Sequence, residues 1–76
     1  MGKYKVNVIT QSDLIEFVQT ATALGDNVTL RVLNEDNTFI CNGKSLLGVR
    51  HAMEWDSMYI ESNADIYMKF HKFIAE

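Results

Sequence analysis

The chain has no proline, a single cysteine at Cys41, and no excess of positive charge. One cysteine excludes an internal disulfide and a cysteine-rich metal site. A net charge of −3 removes the electrostatic case for nucleic acid or an anionic membrane surface. No apolar run approaches the roughly 18 residues of a membrane span, and the first residues lack the apolar stretch of a signal peptide. Repeats, low-complexity tracts and linkers are also missing, and the expected compartment is the cytoplasm. At 76 residues, positions 1–76 read as one small domain. A chain of this size buries only about 60 per cent of its unfolded surface. Its hydrophobic content of 47% supports a core and argues against disorder.

Periodicity divides the chain into seven elements. Lys3 to Ile9 alternates, with Tyr4, Val6 and Val8 on one face and Lys3, Lys5 and Asn7 on the other, as in a half-buried strand. Ser12 or Asp13 is placed to cap a helix whose apolar stripe is Leu14, Phe17, Val18, Ala21 and Leu24, with Gly25 at its end. Val28, Leu30 and Val32 alternate with Thr29, Arg31 and Leu33 in a second strand. Asn34-Glu35-Asp36-Asn37 is turn chemistry, and Thr38 to Cys41 returns as a third strand in a hairpin. Ser45 to about Met53 reads as a short helix, and Glu54-Trp55-Asp56 as a connection whose carboxylates a solvated turn explains. Met58 and Ile60 alternate with Tyr59 and Glu61 in a fourth strand. Ser62 or Asn63 then caps a last helix carrying Ile66, Phe70, Phe73 and Ile74 on one side. The expected fold is α+β, an open-faced two-layer sandwich of order β-α-β-β-α-β-α. Its four-stranded antiparallel sheet carries helices on one face and leaves the other to water.

Asn42-Gly43-Lys44-Ser45-Leu46-Leu47-Gly48-Val49 is the segment of most interest. Serine is a favoured N-cap because its hydroxyl accepts from an otherwise unpaired N–H of the first helical turn. A phosphate there would face backbone donors and the positive end of the helix dipole. From the residues alone, a plain cap accounts for Ser45.

The element order, the length, and above all Lys44-Ser45-Leu46-Leu47-Gly48-Val49 resemble HPr, the histidine-containing phosphocarrier of the bacterial sugar phosphotransferase system. The resemblance spans essentially the whole chain. In HPr of low-GC Gram-positive bacteria the matching segment holds the serine targeted by HPr kinase, which makes Ser45 the regulatory phosphorylation candidate. The apolar patch around that serine is where HPr partners dock, and the matching positions are Leu46, Leu47 and Arg50, the last often methionine in the family. The implied partners are proteins: HPr kinase or a transcriptional regulator.

The carrier segment of HPr, Gly-Leu-His-x-Arg-Pro-Ala, departs. The corresponding stretch is Thr10-Gln11-Ser12-Asp13-Leu14-Ile15-Glu16, with no histidine, arginine or proline. The imidazole that would accept phosphate is missing, and Asp13 and Glu16 would repel a phosphoryl group. His51 and His71 match no carrier position and have no partnering carboxylate pattern, so neither a phosphoacceptor nor a metal site follows from them. Cys41, at a strand end, reads as buried and inert. Gly43 and Gly48 lack the lysine-threonine pattern of a phosphate loop. No enzyme site, metal or cofactor is expected.

The resemblance therefore implies a non-catalytic regulatory module without histidyl phosphocarrier activity, switched at Ser45. The catabolite-repression paralogue of HPr is a precedent, since it also lacks the histidine and keeps the serine. The alternative is a degenerate scaffold of unrelated function in which Ser45 is only a cap. A third reading, a phosphocarrier with an unrecognised acceptor, ranks last.

Overall fold

The computed structural model describes residues 3–75. Strand β1 (Lys3–Val6) leads into helix α1 (Gln11–Thr22), then β2 (Leu30–Leu33), β3 (Ile40–Asn42), helix α2 (Leu46–Ala52) and β4 (Met58–Ser62). The four strands form one antiparallel sheet in the order β1-β4-β2-β3. Register places Tyr4, Ile60, Val32 and Cys41 in one row, and Lys5, Tyr59, Leu33 and Ile40 in the next. Successive residues face opposite sides. The first row therefore belongs to the face that helps build the core with Leu14, Phe17 and Ala21 of α1 and Val49 and Ala52 of α2. The neighbouring face carries Lys3, Lys5, Arg31 and Glu61 toward water, as the alternation of β1 and β4 requires.

Helix α1 begins on a capping box. Thr10 Oγ1 accepts from Asp13 N–H at 3.0 Å, and the Asp13 carboxylate accepts from Thr10 N–H at 3.2 Å. The cap is thus Thr10, with Asp13 as its third-position partner, in place of the expected Ser12 or Asp13. Gly25 adopts the left-handed backbone at φ 92° beyond the helix end. In the hairpin, Asn34 Oδ1 accepts from Phe39 N–H and Asp36 Oδ1 from Thr38 N–H, which keeps residues 38 and 39 in the turn. Strand β3 therefore starts at Ile40, two residues later than expected, while Asn37 takes a positive φ of 62°.

The expected last helix does not form. After β4 the chain runs through successive turns from Tyr67 to Phe73. Three side-chain ties, two of them to a distant segment, compete with a helix there. Ser62 Oγ donates to Thr29 C=O at 2.6 Å, and the Asn63 side chain accepts from Thr29 N–H and donates to Asn27 C=O. Both expected caps are therefore tied to the 27–29 segment, and the Ser62 oxygen takes Ala64 N–H in a tight local turn. Asp65 Oδ1 takes Tyr67 N–H in a local turn. At the other end Asn7 N–H donates to Phe73 C=O and Ala75 N–H to Lys5 C=O, both at 2.8 Å, drawing Ile74 into a bridge with Val6. These bonds hold residues 73–75 alongside the end of β1, so the expected helix cannot run on through Ile74.

The apolar spacing of that segment still serves the core. Ile66, Phe70 and Phe73 are buried, with Phe70 and Phe73 at 5.1 and 5.4 Å from the Phe17 ring. Burying each such ring contributes about 1.5–3 kcal/mol, and ring pairs of this geometry add about 0.5–1.5 kcal/mol. The turns thus complete the layer that α1 and α2 begin. No helix among the described residues is long and apolar enough to cross a membrane.

Candidate functional site

Residues 43–45 join β3 to α2 and are fixed by hydrogen bonds. Gly43 N–H donates to Leu30 C=O at 2.7 Å, closing the hairpin ladder. Asn42 then organises the turn: its Oδ1 accepts from Lys44 N–H at 2.9 Å and its carbonyl from Ser45 N–H at 3.0 Å. Ser45 lies in extended backbone, φ −97° and ψ 115°, and its Oγ accepts from Gly48 N–H at 3.2 Å. This is the N-cap geometry that the sequence implies.

Gly48 allows this first turn to sit close to β3. A Cβ there would lie 3.3 Å from Cys41 Cβ and 3.4 Å from Ser45 Cβ. The same approach lets the Cys41 thiol donate to Gly48 C=O at 3.3 Å. Cys41 is half-buried, and burial raises its pKa, which favours the protonated thiol. Lys44 Nζ donates to Gly25 C=O at 2.5 Å, tying the turn to the segment after α1.

The four candidate residues have different surroundings. Ser45 is half-buried by its cap. Leu46 is 50% exposed, Leu47 is 77% exposed, and Arg50 also faces solvent. Leu47 and Arg50 line an open groove of about 510 Å³ between α1 and α2, together with Gln11, Leu14, His51 and Glu54. Ser45 and Leu46 lie outside its lining. The sequence reading missed the contribution of Gln11 and Leu14 from α1. Helical spacing assigns Leu14 to the core, and nothing local announces that its outer edge meets α2.

Across the groove, the start of α1 is electrostatically closed. Asp13 accepts from both Thr10 N–H and Ile9 N–H, at 3.2 and 3.3 Å, and these bonds hold its carboxyl below the usual aspartate value. These backbone donors are therefore already engaged by a carboxylate. His71 lies away from this site, its ring 5.5 Å from Tyr67. Among the described residues no cluster of histidine, cysteine and carboxylates has the arrangement to hold a metal ion. Compared with protein-family models, curated proteins and solved structures, the chain has no match.

Proposed function

We propose that the chain is a non-catalytic, HPr-like protein-binding module that docks a partner through Leu46, Leu47 and Arg50, with phosphorylation of Ser45 as the switch. The observation that carries this reading is the exposed aliphatic pair immediately after the Ser45 cap, with Leu47 77% exposed at the mouth of the groove. Aliphatic side chains left in water beside a groove are anchors of the kind that protein partners cover. A phosphate on Ser45 would add about −1.5 to −2 charges next to them and remodel that surface.

Two further observations support the reading. The observed order β-α-β-β-α-β reproduces the first six elements of the resemblance to HPr. The Asp13 carboxylate on the backbone donors at the start of α1 opposes phosphoryl transfer there. The partner is then a kinase of the HPr kinase type or a transcriptional regulator, in a cytoplasmic setting. A competing reading, a scaffold with Ser45 only as a cap, draws on the Gly48 N–H to Ser45 Oγ bond.

Intact-mass spectrometry after incubation with ATP and a bacterial HPr kinase separates the two. One added phosphate on the wild type and none on a folded Ser45→Ala variant supports the switch. No modification of the folded wild type reduces Ser45 to its cap. Incubation with phosphoenolpyruvate and enzyme I is the companion test, and a histidyl-phosphate would overturn the non-carrier assignment.

A further inference from the structure

The loop between β2 and β3 meets the loop between α2 and β4 around a second open groove, of about 410 Å³. Its floor is an aromatic pair. The Phe39 and Trp55 rings stack with centroids 6.0 Å apart and planes 24° from parallel. Trp55 is half-buried against the core, whereas Phe39 is 58% exposed. Four carboxylates line the same groove: Glu35, Asp36, Glu54 and Asp56. Asp36 accepts from the Thr38 hydroxyl and N–H, which hold its carboxyl ionised below the usual aspartate range. None of the four belongs to either ion pair of the described residues. Lys3 reaches this loop but bonds Glu35 C=O and Asn37 Oδ1, and pairs with none of the four carboxylates.

An exposed ring face attracts a cation through its quadrupole, and it also packs the aliphatic stem that carries the cation. Carboxylates of one sign around it add charge complementarity for a basic partner and repel an acidic one. We propose that this groove binds a basic peptide segment of a partner protein, seating a lysine or arginine side chain on Phe39 with its charge among the four carboxylates. The solvated-turn account of Glu54 and Asp56 leaves the stacked, half-open aromatic pair between them and the hairpin unexplained. The groove shares neither residues nor chemistry with the α1–α2 face, apart from Glu54 on the ridge between them.

Trp55 is the chain's one tryptophan, so its emission reports directly on this groove. The experiment titrates the full chain with acetyl-Lys-Leu-Lys-Leu-Lys-amide and with counterparts carrying norleucine or glutamate in place of lysine. A saturable emission change with the lysine peptide alone, weakened by added salt, is the expected result. Affinity should fall about tenfold in Phe39→Ala and in the double variant Glu54→Gln/Asp56→Asn. Both variants change exposed side chains, and amide NMR spectra verify their folds. An equal response to the norleucine peptide, no response at all, undiminished affinity in the variants, or amide shifts confined to the α1–α2 groove would each overturn the proposal.

Discussion

Replacing Gly43 with alanine tests how tightly the turn before Ser45 is built. Its N–H is bonded to Leu30 C=O, so the two backbones cannot separate without losing that bond. A Cβ at this position would lie 2.6 Å from Leu30 Cδ2, 2.9 Å from its Cγ and 3.1 Å from its carbonyl oxygen. Leu30 is 1% exposed and enclosed by the core, so its side chain has no solvent-side rotamer to escape into. Overpacking of this kind costs about 1–3 kcal/mol, and about 2 kcal/mol is expected here. For a domain of this size that lowers Tm by roughly 8–16 °C. Urea unfolding of Gly43→Ala, Leu30→Ala and the double variant supplies the assay. Leu30→Ala alone costs about 2–5 kcal/mol by leaving a cavity. In the double variant the clash with the Leu30 side chain is gone and only the 3.1 Å approach to its carbonyl remains, so the combined cost falls below the sum by about 1–2 kcal/mol. A Gly43→Ala protein within about 0.5 kcal/mol of wild type, or strictly additive losses, would refute the steric argument.

Two other expectations concern titrating groups. Asp13 is held below 3.8 chiefly by Thr10 N–H and then Ile9 N–H, and Asp36 chiefly by the Thr38 hydroxyl and then its N–H. A carboxyl depressed in the folded state stabilises the protein above its ordinary value, and that contribution is lost as pH falls through the folded value. Asp13→Asn and Asp36→Asn should therefore flatten the acid limb of urea midpoints measured from about pH 5 to about pH 2, and unchanged limbs would contradict the assigned bonds. The Cys41 thiol, raised by burial and donating to Gly48 C=O, should react with a disulfide reagent at least about tenfold more slowly in the native protein than in urea. Equal rates would place the sulfur in free solvent.

Where local chemistry decides the structure, the sequence was readable. Ser45 caps α2 because the hydroxyl and the N–H it needs lie three residues apart, and the stripe of α1 buries Leu14, Phe17 and Ala21 as spacing requires. The Thr10–Asp13 box was equally local, but Ser12 and Asp13 offered competing cap residues. Distant partners account for the larger departures. Ile66, Phe70 and Phe73 have helical spacing, yet Lys5 and Asn7, far away in sequence, hold residues 73–75 alongside β1. Leu33 was placed on the polar face, and it does lie opposite Val32, but Tyr59 and Ile40 flank it in the register and it is 4% exposed. The candidate face was legible only in part. Leu47 and Arg50 are candidates through the resemblance alone, while the groove beside them depends on where α1 crosses α2. Trp55 stands out in the sequence as a lone residue of a connection, but its stacking on Phe39 required the two loops to meet.

The bridge between Val6 and Ile74 has a consequence for how these molecules can crowd one another. An exposed strand edge is a template on which another chain can add, and a sheet with two such edges can be extended indefinitely. Here the C-terminal segment occupies the outer side of β1, using Lys5 C=O and Asn7 N–H. At the opposite side β3 has no neighbouring strand among the described residues. Two copies meeting through β3 would use up that edge of each, whereas β1 is already bridged at Val6. Pairing of a further chain along the Val6 end of β1 would first require residues 73–75 to be peeled away.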